Sequence, residues 1–225
     1  MKNKLFIIVF SLNLLASSSI FAQSFYLKLG SNAANFNGTD NPYDSKSRLG
    51  FSGGIHTEFF SETHFALVFE TNYMPMGMRV KDDINNYKLR NEYIQFSLKP
   101  RYYINTESIW DNKPGFYIDA GPYAAYLFSS RASGTLNGQE YNKVDMRNDY
   151  ENWDYGISMS FGISALRIFL LEFNYHLGLA EISNNMDIKN NSWGISLVVN
   201  MFHIIKDKDK LKIDSFWFKE NRTPE

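Results

Sequence analysis

Residues 93–103, Tyr-Ile-Gln-Phe-Ser-Leu-Lys-Pro-Arg-Tyr-Tyr, and residues 116–128, Phe-Tyr-Ile-Asp-Ala-Gly-Pro-Tyr-Ala-Ala-Tyr-Leu-Phe, decide the fold. In the first, Ile94, Phe96, Leu98, Pro100 and Tyr102 share one parity, while Tyr93, Gln95, Ser97, Lys99, Arg101 and Tyr103 share the other. In the second, Phe116, Ile118, Ala120, Pro122, Ala124, Tyr126 and Phe128 alternate with Tyr117, Asp119, Gly121, Tyr123 and Ala125. A period of two marks an extended strand whose faces meet different surroundings. Each run exceeds the ~5–6 residues usual in a globular sheet and meets the ~9–11 needed to cross a bilayer at a tilt. Both are therefore expected to be membrane-crossing strands of one closed barrel.

Six further segments repeat the alternation, around residues 25–30, 51–59, 65–74, 153–164, 169–179 and 193–201. The total is eight strands, enough to close a small barrel. The fold class expected is all-β, an eight-stranded antiparallel up-and-down transmembrane β-barrel of the outer-membrane type. The connections support that phase. Those after the first, third, fifth and seventh strands (34–47, 79–89, 129–150 and 181–191) are long and rich in Asn, Asp and Gly, while those at 61–63, 105–113 and 165–167 are shorter. Outer-membrane barrels start and end in the periplasm, with short turns there and long loops outside.

Composition excludes several classes. Aromatic residues make up 16% of the 225 residues and mean hydropathy is −0.33; that rules against a helical membrane bundle but suits a barrel with half of its strand residues polar. With no cysteine there is no disulfide, thiolate nucleophile or thiolate metal site. Residues 1–22 read as a secretory signal peptide: Lys2 and Lys4 precede an apolar run from Leu5 to Leu15, and small residues lead to a cut after Ala22. Removing Lys2 and Lys4 from the 23 basic residues leaves 21 against 24 acidic, a net charge near −3. A mildly acidic exported chain is not a nucleic-acid binder.

Alternation alone does not say which face is inside, because a soluble barrel puts its apolar residues in. Side-chain volume and charge decide. The apolar parity carries large residues, whereas the other mixes Gly and Ser with a few charges, as in Ser158, Ser160, Gly162 and Ser164. A water-facing surface would carry many more charges, so the apolar parity is expected to face lipid. Trp153, Trp193 and Tyr73 near the long loops and Phe59, Tyr102 and Phe169 near the short turns would form two aromatic girdles.

With these residues in view, the chain from about Ser24 to Phe202 resembles the PorT-like outer-membrane β-barrel proteins of Bacteroidetes. The resemblance is carried by Tyr26-Leu27-Lys28-Leu29-Gly30, by the strand from Tyr93 to Tyr102, by Phe116-Tyr117-Ile118-Asp119-Ala120-Gly121-Pro122-Tyr123, and by Tyr175-His176-Leu177-Gly178-Leu179. It implies an eight-stranded barrel in the outer membrane, in a family with some members linked to assembly of a protein secretion system. One departure is visible. Family members finish at an aromatic on the outward parity of the last strand; here that parity ends at His203, and Phe202 falls on the other.

The polar parity carries the candidate site: Glu58, Glu70, Lys99, Arg101, Asp119 and Glu172 all point inward, and by residue count all but Asp119 belong to the periplasmic half. Charges confined in a narrow lumen must pair, because unpaired burial costs several kcal/mol each. The set reads as a structural ion-pair network that plugs the barrel, as a gate whose pairs exchange partners, or as a proton-linked path. For enzymatic chemistry, His56 and His176 face the lumen, but neither has a Ser and an acid at recognisable spacing and no G-x-S-x-G elbow occurs. Asp145, Asp149, Glu151 and Asp154 lack the spacing of a calcium loop, so neither metal nor cofactor is expected.

The organisation expected is a signal peptide at 1–22, an outer-membrane β-barrel domain at 23–203 and a charged periplasmic tail at 204–225, which carries Lys206-Asp207-Lys208-Asp209-Lys210 and Phe216-Trp217-Phe218. The function expected is that of a non-enzymatic, monomeric outer-membrane protein of a Gram-negative envelope with a plugged lumen. Its partners would be outer-membrane lipid and an envelope protein met through the external loops or the tail. A narrow pore for small solutes is the alternative, and a lipid-modifying barrel enzyme the third.

Overall fold

The computed structural model describes residues 22–38, 45–59, 64–81, 85–104, 115–165, 168–184 and 186–201. The expected signal peptide, apart from Ala22, and the expected charged tail, with the Phe202/His203 parity question, lie outside these residues. The described strands are β1 (Ala22–Asn37), β2 (Lys46–Phe59), β3 (Phe65–Met76), β4 (Met78–Lys81), β5 (Asn86–Tyr103), β6 (Gly115–Leu136), β7 (Gln139–Asp145), β8 (Trp153–Ala165), β9 (Phe169–Gly178) and β10 (Lys189–Asn200), with one short 3-10 turn at Arg147–Asp149. All pairings are antiparallel, and β1 pairs with both β2 and β10. With the β2–β3, β3–β5, β5–β6, β6–β8, β8–β9 and β9–β10 ladders this closes a ring of eight. The other two strands are additions at the long-loop end: β4 continues β3 past Gly77, and β7 folds back on β6.

The apolar parity faces outward. Leu98, Ile118, Phe161, Leu171, Phe173 and Leu197 are each 40% or more exposed, whereas Lys99, Arg101 and Glu172 on the opposite parity are 0% exposed. Only a nonpolar surround makes such a surface stable, since a soluble monomer rarely exposes a continuous apolar belt. Trp153 and Trp193 stand exposed at one rim, and Tyr102 and Phe169 at the other. His64 sits at the short-turn rim, its ring beside the Tyr103 carbonyl oxygen at 3.2 Å.

The long connections are corrected. Much of 34–47, 79–89 and 129–150 is strand, since β1 runs to Asn37, β2 starts at Lys46, β5 starts at Asn86 and β6 runs to Leu136. At about 3.3 Å per residue, the 18 residues of β5 span roughly 60 Å, far more than a bilayer needs. The apolar parity switches at the rim. Below it Ile94, Phe96 and Leu98 point out; above it Tyr87, Leu89 and Tyr93 are buried inside while Lys88 and Arg90 point out. A wall that leaves lipid for water must turn its charged residues outward, so the outward apolar stripe ends where the strand does not. The β6–β7 hairpin turns at Asn137 (φ 50°) and Gly138 (φ 78°), the Asn-Gly pair that a tight turn of this hand favours.

The interior is filled in tiers. At the long-loop end Phe36, Met76, Val80, Leu89, Leu127, Ile182 and Ile188 form an apolar core inside the wall, joined by Tyr150 and Tyr123. At the short-turn end Tyr26, Ala66, Tyr103, Tyr117, Leu170 and Val198 form a second. Charged and amide side chains occupy the space between.

Candidate functional site: a charged belt in the lumen

Small inward residues on one side of the ring make room for long ones from the other. Gly156, Ser158, Ser160 and Gly162 line β8, and Gly194 and Ser196 line β10, opposite Lys99 and Arg101 of β5 and Glu70 of β3. Gly162 lies across from Tyr117 in the ladder, and a Cβ there would run into the Tyr117 ring.

Arg101 is the centre of the belt. Its Nε and Nη2 donate to Asp119 Oδ2 at 2.8 and 2.6 Å, Nη1 donates to Glu58 Oε1 at 2.5 Å, and Nη2 donates to Glu172 Oε2 at 3.2 Å. The guanidinium carbon lies 3.8 Å from the centre of the Tyr117 ring. Glu58 also accepts from the hydroxyls of Tyr103 at 2.8 Å and Tyr26 at 3.1 Å, and Glu172 from that of Tyr117 at 2.8 Å. Lys99 Nζ donates to Ser160 Oγ at 2.7 Å and pairs with Asp119 at 2.9 Å and Glu70 at 3.1 Å. Glu70 Oε2 accepts from Asn72 Nδ2 and Ser97 Oγ at 3.1 and 3.3 Å.

All six residues singled out from the sequence meet in this belt. Asp119 was set apart by residue count; the register instead puts it directly opposite Arg101, near the short-turn end of β6. A seventh charge completes the belt and was not singled out: Lys28 Nζ donates to Glu172 Oε1 at 2.5 Å and Asn174 Oδ1 at 2.8 Å, and reaches Glu70 at 3.4 Å. Its signal was present, as the only charge on the inward parity of β1. Four carboxylates thus face three cations, and each carboxylate has at least one cation partner. Such a set holds only as a whole, because removing one partner strands a buried charge.

The two lumen histidines stand at different depths: His56 is level with the belt, directly opposite Glu70 in the ladder, and His176 lies above it toward the long-loop end of β9. His56 packs on Tyr26 with ring centres 4.4 Å apart, and its Nδ1 is 3.7 Å from Glu70. His176 Nδ1 lies 3.1 Å from Gln95 Nε2. Ser158 and Ser192 flank His176 in the register, yet the hydroxyl of neither makes a hydrogen bond. Asp154, on the polar parity of the expected strand at 153–164, faces inward and accepts from Tyr123 OH at 3.1 Å and Asn190 Nδ2 at 2.9 Å. A cavity of about 10 Å³, lined by Lys28, Asn32, Asn72, Met74, His176 and Ser196 among others, lies between belt and cap. That is about the space one water molecule needs. Among the described residues, no group of three or more His, Asp or Glu side chains is placed to hold a metal ion.

Comparison with solved structures places outer-membrane barrels beside this chain. Neisserial surface protein A is 16% identical, with 79% of this chain and 97% of that one covered at a TM-score of 0.45. Ail, the attachment invasion locus protein of Yersinia pestis, is 12% identical over 79% and 98%, also at 0.45. The Escherichia coli outer membrane protein W is 10% identical over 81% and 100%, at 0.40. No curated protein matches the sequence. The model of the outer membrane protein beta-barrel domain family matches residues 21–184. With a closed ring of eight antiparallel strands, a lipid-facing apolar surface and this match over most of its length, the chain belongs to the outer membrane protein beta-barrel domain family.

Proposed function

We propose that the protein is a non-enzymatic, monomeric outer-membrane barrel with a permanently closed lumen, working through its outer surfaces as an interaction or assembly protein in the manner of the PorT-like family. The observation that carries this reading is the filling of the lumen: two apolar tiers enclose a belt of seven mutually paired charges, with room for about one water between belt and cap. The six residues expected from the sequence, with Lys28, serve as the structural core of that plug. Residues 1–22 act as the export signal and 204–225 as a periplasmic tail, and an envelope protein is met through the tail or the long-loop end.

Planar-bilayer recording of the purified protein tests the closed lumen, with no discrete conductance steps expected from the native chain. Regular unitary steps would overturn it in favour of the narrow pore. Site-specific cross-linking from the β6–β7 hairpin and from the tail in intact cells tests the assembly role. One envelope protein recovered from either position supports it; recovery of lipid alone counts against it.

A further inference from the structure

A second cluster of charge lies outside the barrel, just above the aromatic girdle of the long-loop end. Lys46, Arg79 and Lys88 fall directly opposite one another in a single row across β2, β4 and β5. Two residues further down β5, Arg90 lies opposite Arg131 of β6. Like charges paired across strands are destabilising unless something neutralises them. Among the described residues, the acid in these rows is Asp145, opposite Arg131, which accepts from the Arg147 backbone N–H at 3.0 Å; Glu92, one row further down β5, is held by Arg90 at 2.6 Å. Nε of Arg79 and Nη1 of nearby Arg48 are buried without a hydrogen-bond partner.

The depth of the cluster is fixed by the girdle. Arg90 Nη2 donates to the hydroxyl of Tyr73 at 2.7 Å, and, separately, Arg147 Nη2 donates to the hydroxyl of Tyr126 at 2.9 Å with its guanidinium 5.8 Å from that ring. Girdle aromatics sit at the level of the lipid headgroups. Guanidiniums bonded to their hydroxyls therefore stand in the plane of headgroup phosphates, where a phosphate monoester accepts from Arg in forked geometry.

We propose that Arg79, Lys88, Arg90 and Arg131 form a binding face for the phosphate groups of an outer-leaflet glycolipid, a bis-phosphorylated lipid A being the chemistry that fits two adjacent rows of cations. The inference rests on the outer-membrane orientation proposed above but not on whether the lumen is closed.

The test uses the full mature chain in phosphatidylcholine nanodiscs doped with lipid A or with its dephosphorylated form, retention being read by native mass spectrometry. The triple variant R79Q/K88Q/R131Q is compared with K189Q, whose site on β10 is across the ring from β5. At roughly fivefold per cation near a charged lipid surface, the triple variant should retain lipid A about a hundredfold more weakly, while K189Q should match the native chain. Unchanged β-sheet circular dichroism in the triple variant separates lost binding from lost folding; for a variant that unfolds, the singles R79Q and R131Q replace it, each expected to lose about fivefold. Equal retention of dephosphorylated lipid overturns the proposal. So does a triple variant that is folded and retains lipid A normally, or displacement of lipid A by an equal concentration of inorganic phosphate.

Discussion

Replacing Arg101 by Met keeps much of the side chain's bulk and removes its charge. Asp119 and Glu172 then depend on Lys99 and Lys28, and Glu58 is left with two tyrosine hydroxyls and no cation. The belt passes from four carboxylates against three cations to four against two. Removing one partner of a buried pair costs about 3–5 kcal/mol; the lost stack on Tyr117, about 1–2 kcal/mol for a desolvated guanidinium, is part of that. The double variant R101M/E58Q removes one charge of each sign, and the amide oxygen it places at position 58 still accepts from Tyr26 and Tyr103. It should recover everything except the stack, ending about 1–2 kcal/mol below the native chain. Urea-dependent unfolding in lipid vesicles, followed by tryptophan fluorescence, measures each corner of the cycle. A cost below about 1 kcal/mol for R101M, or a double variant no more stable than the single, refutes the claim that these charges hold one another.

Three further perturbations probe other tiers. Gly162→Ala sets a methyl group against a Tyr117 ring already pinned by Arg101, so about 1–3 kcal/mol of stability should be lost in the same assay. Phe173→Arg, at the middle of β9 on the lipid face, should cost about 2–4 kcal/mol in vesicles, whereas a soluble outer surface would tolerate it. Ile182→Ala opens the apolar cap at a fully buried position and should cost about 2–5 kcal/mol locally; trypsin cleavage at Lys189 should then speed up while the lipid-embedded strands stay protected.

The barrel was legible because lipid and lumen impose opposite demands on alternate residues, so Phe96 and Leu98 declare themselves against Ser97 and Lys99. The inward direction of the six belt charges was legible for the same reason. Their partners were not, because Arg101 meets Glu172 across the lumen through tilt and stagger, which no local spacing encodes. Lys28 escaped notice as a single charge in a short apolar strand, although it bridges Glu70 and Glu172. The strand extensions are hidden because water replaces lipid at the rim: Arg79 and Lys88 look like loop residues until the buried Val80, Tyr87 and Leu89 beside them are seen.

The seam between β1 and β10 sets the order of events during assembly. It joins Tyr26 to Asn200 and Asn37 to Lys189, residues more than 150 positions apart. Neighbouring hairpins form from nearby chain, but this last ladder waits for the two most distant strands to meet, the slowest kind of contact. Until it zips, β1 and β10 each present a bare row of amides that hydrocarbon cannot satisfy. Insertion and closure are therefore one concerted step, and an assembly factor that shields one open edge would act on this pair before any other.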